Sequence, residues 1–137
     1  MTRIFETRTI SVSIRRSAAA VYAFAAQPEN FPKWASGLGS ALYKDGDEWI
    51  AETPDGPMRV RFAEPNEFGV LDHAVIPEDG APIYIPLRVI ANGQGAEVLV
   101  TLFRGSGVSD DKFEDDADWV LRDLQALREL LESSGVA

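Results

Sequence analysis

The stretch 110-DDKFEDDADWVLRDLQALRELLES-133 carries the reading that decides the fold. Phe113, Ala117, Val120, Leu124, Leu127 and Leu131 recur at alternating steps of four and three, which places one apolar stripe along a helix of about six turns. A helix apolar on one side only must bury that side against another surface. The preceding segments offer one: Ala41 to Lys44, Glu48 to Thr53, Met58 to Ala63, Gly69 to Ile76, Pro82 to Ala91 and Ala96 to Arg104 read as successive strands. The separators Asp45-Gly46, Pro54-Asp55-Gly56, Pro65-Asn66, Glu78-Asp79-Gly80 and Asn92-Gly93-Gln94-Gly95 are short enough for hairpins, so the sheet is expected to be an antiparallel meander. The class is α+β, a curved antiparallel sheet wrapped around a long C-terminal helix, with a cavity expected between the two.

Working toward the N-terminus, Ile4 to Ile14 reads as a strand with Ile10, Val12 and Ile14 on one face and Thr9, Ser11 and Ser13 on the other. Ser17 can cap a short helix from Ala18 to Gln27, whose Val21, Phe24 and Ala25 share a face before Pro28 ends it. Residues Pro28 to Trp34 read as a second, irregular helical turn, and Gly37 and Gly39 as loop glycines. No repeat, low-complexity tract or linker interrupts this order, so residues 1–137 read as one domain.

Composition narrows the chemistry. The 137 residues include 13 Lys plus Arg against 22 Asp plus Glu, a net charge of −9, with no Cys and one His. Without cysteine there is no disulfide framework, thiolate nucleophile or cysteine zinc site, and one imidazole cannot build a multi-histidine metal centre. The acidic balance disfavours nucleic acid and anionic membranes, which select for clustered Lys and Arg. No run approaches the roughly 18 apolar residues of a membrane span, and the N-terminus has no apolar leader core, so membrane insertion is not expected and a cytoplasmic protein is. From Asp110 onward nine acids face three bases, which is −6 of the −9. Six of those acids fall between Asp110 and Asp118, where negative charge suits a helix start. A solvated, capped helix end is favoured over a calcium loop, whose Gly and downstream Glu spacing are missing.

Ile10 to Ile14, the helix opening Ser17-Ala18-Ala19-Ala20-Val21-Tyr22, the segment Pro28-Glu29-Asn30-Phe31-Pro32-Lys33-Trp34 and the closing helix together resemble the START/Bet v 1-like (SRPBCC) superfamily, in its polyketide cyclase/dehydrase-like branch. The resemblance spans nearly the whole chain in element order. It implies the helix-grip fold, with a hydrophobic cavity between sheet and C-terminal helix that holds a small or lipid-like molecule. It carries over no catalytic motif, because members include cyclases, carriers and receptors.

Hairpin register then suggests which side chains face that cavity. With Asp79-Gly80 as a two-residue turn, Asp72 lies across from Leu87; with Asn92 to Gly95 as the next turn, Leu87 faces Val100. Val70, Asp72, Ala74, Ile76, Ile83, Ile85, Leu87, Val89, Val98, Val100 and Leu102 would share one nearly aliphatic face, opposed by Val120 and Leu124 of the helix. Asp72 would then be a carboxyl among apolar groups, needing a partner. A two-residue turn at Pro65-Asn66 supplies Arg59 opposite it and Arg61 beside Val70, whereas a three-residue turn puts Val60 there. Asp72 is read either as a general acid or base with Arg59 or Arg61 holding an anionic oxygen, or as a structural ion pair or strand-end carboxylate, and the structural reading is favoured. His73 points to the opposite face, so the two form no dyad, and reversed parity would bring His73 into the cavity instead. Trp34, Phe31, Trp49, Tyr22, Tyr43 and Trp119 are candidate aromatic walls or core packing.

No phosphate-cradling GxxxxGK[ST], dinucleotide GxGxxG, GxSxG elbow or HExxH occurs, so neither a cofactor nor a metal is expected. The leading functional expectation is a module that binds a small hydrophobic or aromatic, polyketide- or lipid-like molecule. The alternatives are a cofactor-independent cyclase or dehydratase using Asp72 or His73, and a homodimeric accessory module that presents Tyr84, Arg88, Phe103 and Trp119.

Overall fold

The computed structural model describes residues 4–36, 41–53 and 56–133. The expected loop glycines Gly37 and Gly39 and the turn residues Pro54 and Asp55 lie outside them. β1 (Thr7–Ile14) leads into α1 (Ala18–Ala25), a 3-10 turn (Pro28–Asn30) and α2 (Phe31–Trp34). Then come β2 (Ala41–Asp45), β3 (Glu48–Thr53), β4 (Gly56–Phe62), β5 (His73–Ile76), β6 (Ile83–Ile85), β7 (Leu87–Asn92), β8 (Gly95–Phe103) and α3 (Asp110–Ser133). All strand pairs are antiparallel. Two ladders form, β1-β8-β7 and β2-β3-β4-β5-β6, with α3 covering the inner face of the first.

Local signals act where expected. Ser17 Oγ accepts the Ala20 N–H at 3.1 Å and starts α1. Val21 and Ala25 are buried, and Val12 and Ile14 alternate inward on β1. On α3, Phe113, Ala117, Leu124, Leu127 and Leu131 are buried, and the helix is tied down at both ends. Ser109 Oγ accepts the Lys112 N–H (3.1 Å), Arg104 bridges Asp110 (2.6 Å), and Arg8 pairs with Glu114. Beyond the other end, Arg16 Nη1 donates to the Leu131 carbonyl (2.7 Å), a cation placed at the negative helix pole. Of the acids of 110–118, Asp110, Glu114 and Asp116 are ion-paired, the last with Lys112 on the same helix, and Asp110 and Asp111 lie in the first turn, where negative charge suits the helix pole. No helix among the described residues is long and apolar enough to cross a membrane.

The strand expected from Pro82 to Ala91 is divided at Pro86, which has no N–H to give to a ladder. The two ladders meet there. Leu71 N–H donates to Leu87 O (2.8 Å), Val89 N–H to Gly69 O (2.9 Å), and Val70 bridges Arg88. Leu87 N–H does not return a bond to Leu71 O, as a regular antiparallel pair would; it donates to Asp72 Oδ1 at 2.9 Å. The Leu71 carbonyl instead accepts from His73 Nδ1 at 3.2 Å. Asp72 also receives Arg88 Nε on Oδ1 (2.8 Å), and Arg88 Nη2 (2.8 Å) and Tyr84 Oη (2.6 Å) on Oδ2.

This joint corrects two expectations. His73 pairs with Ile85 and Val75 with Ile83, a register one residue away from the Asp79-Gly80 turn anticipated, and one residue reverses every side chain of a strand. Leu71, His73 and Val75 face inward, while Asp72 belongs to the outer face of Ala74 and Ile76. The β7–β8 register is as expected, with Leu87 opposite Val100. Between β4 and β5 the connection is neither a two- nor a three-residue turn, since Phe62 pairs with His73. Asn66 organises this longer loop: Oδ1 accepts from Phe68 N (2.9 Å) and Val70 N (3.0 Å), and Nδ2 donates to Glu64 O (3.0 Å) and Val70 O (2.8 Å). Consequently Arg59 lies opposite Ile76 and Arg61 opposite Ala74, and the cation that meets Asp72 is Arg88.

Gly69, at φ +72, makes the joint sterically feasible: a Cβ there would sit 2.0 Å from Val89 O. Gly69→Ala is expected to destabilise by about 3 kcal/mol or more. Gly46→Ala, at φ +65 with open space around it, should cost only about 1–2 kcal/mol. Denaturant midpoints compare them. The Arg88 guanidinium, aided by Tyr84 and Leu87 N–H, lowers the Asp72 carboxyl from 3.8 to about 2. The folded state therefore holds this group ionised at lower pH than the unfolded chain does. Its stabilisation, on the order of 2 kcal/mol, should be complete above pH 4 and fade as pH falls towards 2. Asp72→Asn should lower the midpoint at pH 7 and flatten this acid limb.

Candidate functional site

A cavity of about 330 Å³ opens between the α1–α2 side and the β3–β4 part of the sheet. Its volume follows from residue size. Ala26, Pro28, Ala63 and Pro65 line it with short side chains, while Tyr22, Phe31, Trp49 and Phe62 supply aromatic walls and Val60 and Leu71 aliphatic ones. Asp47, Glu48, Arg59, Arg61 and Ile76 complete its rim.

The walls are set by packing of aromatic rings. Phe31 lies 4.9 Å from Phe62 between centroids and 5.2 Å from Trp34, and Trp49 meets Phe62 edge-on at 6.4 Å. His73 closes the cluster from beneath, edge-on to Phe31 at 5.6 Å and tilted on Phe62 at 5.9 Å. Only 6 % of it is exposed. Because a carbonyl can only accept, the contact with Leu71 O places the proton on Nδ1 and leaves Nε2 with the lone pair. Burial pushes the imidazole below its usual value, outweighing the opposing influence of the Leu71 carbonyl and Asp72. The ring is neutral at neutral pH.

The cavity is not where it was expected. No described α3 residue lines it. Leu87, Val100 and Leu124 are buried in the core, and Val120 is half-buried against it, so the space between sheet and α3 is filled by their side chains. Trp34 is buried behind Phe31, its Nε1 without an acceptor among the described residues. Arg59 and Arg61 leave β4 on the face opposite to Val60 and Phe62 and reach only the rim. Arg59 pairs with Glu48 at 3.3 Å, and Arg61 has no ion pair among the described residues. Asp72 is committed to the sheet joint, its oxygens taken by Leu87 N–H, Arg88 and Tyr84. Of the aromatic candidates, Phe31, Trp49 and Tyr22 line the cavity. Trp119 sits on α3 with Arg122 over its ring at 5.0 Å, across the sheet from Tyr84, Arg88 and Phe103, so those four residues form no single surface.

Among the residues that sequence reasoning did not single out are Phe62, a cavity wall, and Asn66, which bonds Tyr22. Phe62 alternates with Val60 and shares its face, a signal available once β4 was recognised. Asn66 lies between Pro65 and Gly69, and its value as a turn organiser was legible; its contact with Tyr22 Oη (2.9 Å) was not.

His73 gives a second pH dependence. The unfolded chain takes up a proton near pH 6.5 and the folded chain does not, so stability should fall as pH drops below 6.5. His73→Phe keeps a ring in the cluster but strands the Leu71 carbonyl, costing about 1–2 kcal/mol at pH 7.5. The thermal midpoints of variant and parent should therefore converge between pH 7.5 and 5.

No protein-family model matches the chain, and no curated protein matches it in sequence. Solved structures do match. XoxI from Bacillus cereus superposes with a TM-score of 0.72 at 18% identity, over 96% of this chain and 99% of that one. A START superfamily protein from Mycobacterium smegmatis gives 0.64 at 10% identity, over 91% and 98%. DynU16, a protein of the dynemicin biosynthetic locus, gives 0.70 at 14% identity over 93% of this chain and 48% of its own. With α3 gripped by an antiparallel sheet and these structures superposing along nearly its whole length, the chain has the helix-grip fold of the START/Bet v 1-like superfamily.

Proposed function

We propose that this protein binds a small, compact aromatic molecule of polyketide-like character in the cavity between α1–α2 and β3–β4. The observation that carries the reading is the 330 Å³ space walled by Phe31, Trp49 and Phe62. That volume is at the lower end of small-molecule sites, which suits a two- or three-ring compound better than an extended lipid chain. Stacking and edge contacts with such walls favour planar ligands.

Binding is favoured over turnover by the state of the titratable groups. Asp72 is held ionised at the sheet joint with its oxygens occupied, and His73 lies beneath the ring cluster with Nδ1 committed to Leu71. A general acid or base needs to reach the reacting atom.

The test is a thermal-shift panel of naphthols, hydroxynaphthoquinones, anthraquinones and fatty acids against the parent and Ala26→Leu, which fills the cavity beside Phe31. Bicyclic aromatics should stabilise the parent by about 2.7 kcal/mol at a hundredfold excess over Kd, and Ala26→Leu should abolish the shift while folding normally. No shift with any compound, or equal shifts in both proteins, would refute the reading.

A further inference from the structure

We infer that Tyr22 is a hydrogen-bond donor to the ligand, and that the ligand therefore carries a neutral carbonyl oxygen, a ketone or quinone, conjugated to its ring system. This rests on the cavity reading above and adds to it the polar group that orients the molecule.

The loop after β4 positions the donor. The side chain of Asn66 is bonded to Glu64, Phe68 and Val70, so its backbone N–H is held in one place, and it donates to Tyr22 Oη at 2.9 Å. Tyr22 lines the cavity and is only half-buried. The phenol oxygen accepts from Asn66, while its own proton has no acceptor among the described residues. A hydroxyl that accepts one hydrogen bond is polarised towards donating another. What this site offers a ligand is thus one oriented O–H donor beside aromatic and aliphatic walls, with the charged residues Asp47, Glu48, Arg59 and Arg61 at the rim.

The charge pattern selects which acceptor fits. The rim carries Asp47 and Glu48 together with Arg59 and Arg61; Arg59 is paired with Glu48, and Arg61 stems from the face of β4 opposite to Val60 and Phe62. The two acids and two arginines of the lining cancel in charge, so no net positive field offsets the cost of desolvating a carboxylate or phenolate there. A neutral carbonyl meets the donor without that penalty.

Three probes of similar shape separate the terms: 2-acetylnaphthalene, 2-ethylnaphthalene and 2-naphthoate, titrated into the parent, Tyr22→Phe and Asn66→Ala. Tyr22→Phe should lower the ratio of ketone to hydrocarbon affinity about fivefold and leave ethylnaphthalene within twofold. Naphthoate should bind the parent more weakly than the ketone. Asn66→Ala, which loosens the loop but keeps the phenol, should weaken ketone and hydrocarbon alike. The carbonyl stretch of bound 2-acetylnaphthalene should lie lower in the parent than in Tyr22→Phe. An unchanged ratio in Tyr22→Phe means the hydroxyl faces solvent only and overturns the inference, as does tightest binding by naphthoate. If ethylnaphthalene binds the parent while the ratio stays unchanged, the cavity reading survives alone; if no probe binds the parent, both readings fall.

Discussion

Four hydrogen bonds converge on the Asp72 carboxylate at the point where the sheet would otherwise part. Pro86 cannot donate to the ladder, so β6 and β7 separate there, and the carboxylate takes the N–H of Leu87 together with both sides of the Arg88 fork and the Tyr84 hydroxyl. A charge with so few water contacts is tolerable only because its acceptor sites are filled. Its compensation extends to the next residue, since the Leu71 carbonyl that loses its ladder partner is met by His73. One acidic residue thereby sets the register of β5, and the register places an imidazole among the aromatic walls of the cavity.

The cavity exists because packing is uneven along the sheet. Over β1 and β8 the stripe of α3 meets a matching row of aliphatic residues and fills the interface. Over β3 and β4 the cover is two short helical segments joined at Pro28, whose alanines and prolines are too small to occupy the space above Val60 and Phe62. The fold's long helix is thus the scaffold's clamp, and the short helices with the Asn66 loop shape the site. Two acids at the start of α3 belong to the clamp, Glu114 paired with Arg8 of β1 and Asp110 with Arg104 just beyond β8.

How much was legible depended on the range of the interaction. The α3 stripe, the Ser17 cap, the inward alternation of β1 and the β7–β8 register are written in neighbouring residues and agree with the structure, although Asn92 and Gly95 pair with each other and shorten the expected four-residue turn to Gly93-Gln94. The β5 face was not, because it hangs on two connections whose lengths are fixed by contacts far apart in sequence. Asn66 reaches Tyr22 on α1, and Asp72 reaches across the strands to Tyr84 and Arg88. Either connection, one residue longer or shorter, exchanges Asp72 and His73 between faces.

The sequence by itself determined the α+β class, the order of elements, the stripe by which the helix binds the sheet, and the exclusion of cysteine-based chemistry, because periodicity and composition are local properties. Tertiary structure alone decided where the cavity lies, which face carries His73, and that Asp72 is bound to Arg88 instead of Arg59 or Arg61. Those outcomes depend on strand register and on the volume left between packed elements, and both are set by competition among side chains that meet only after the chain has folded.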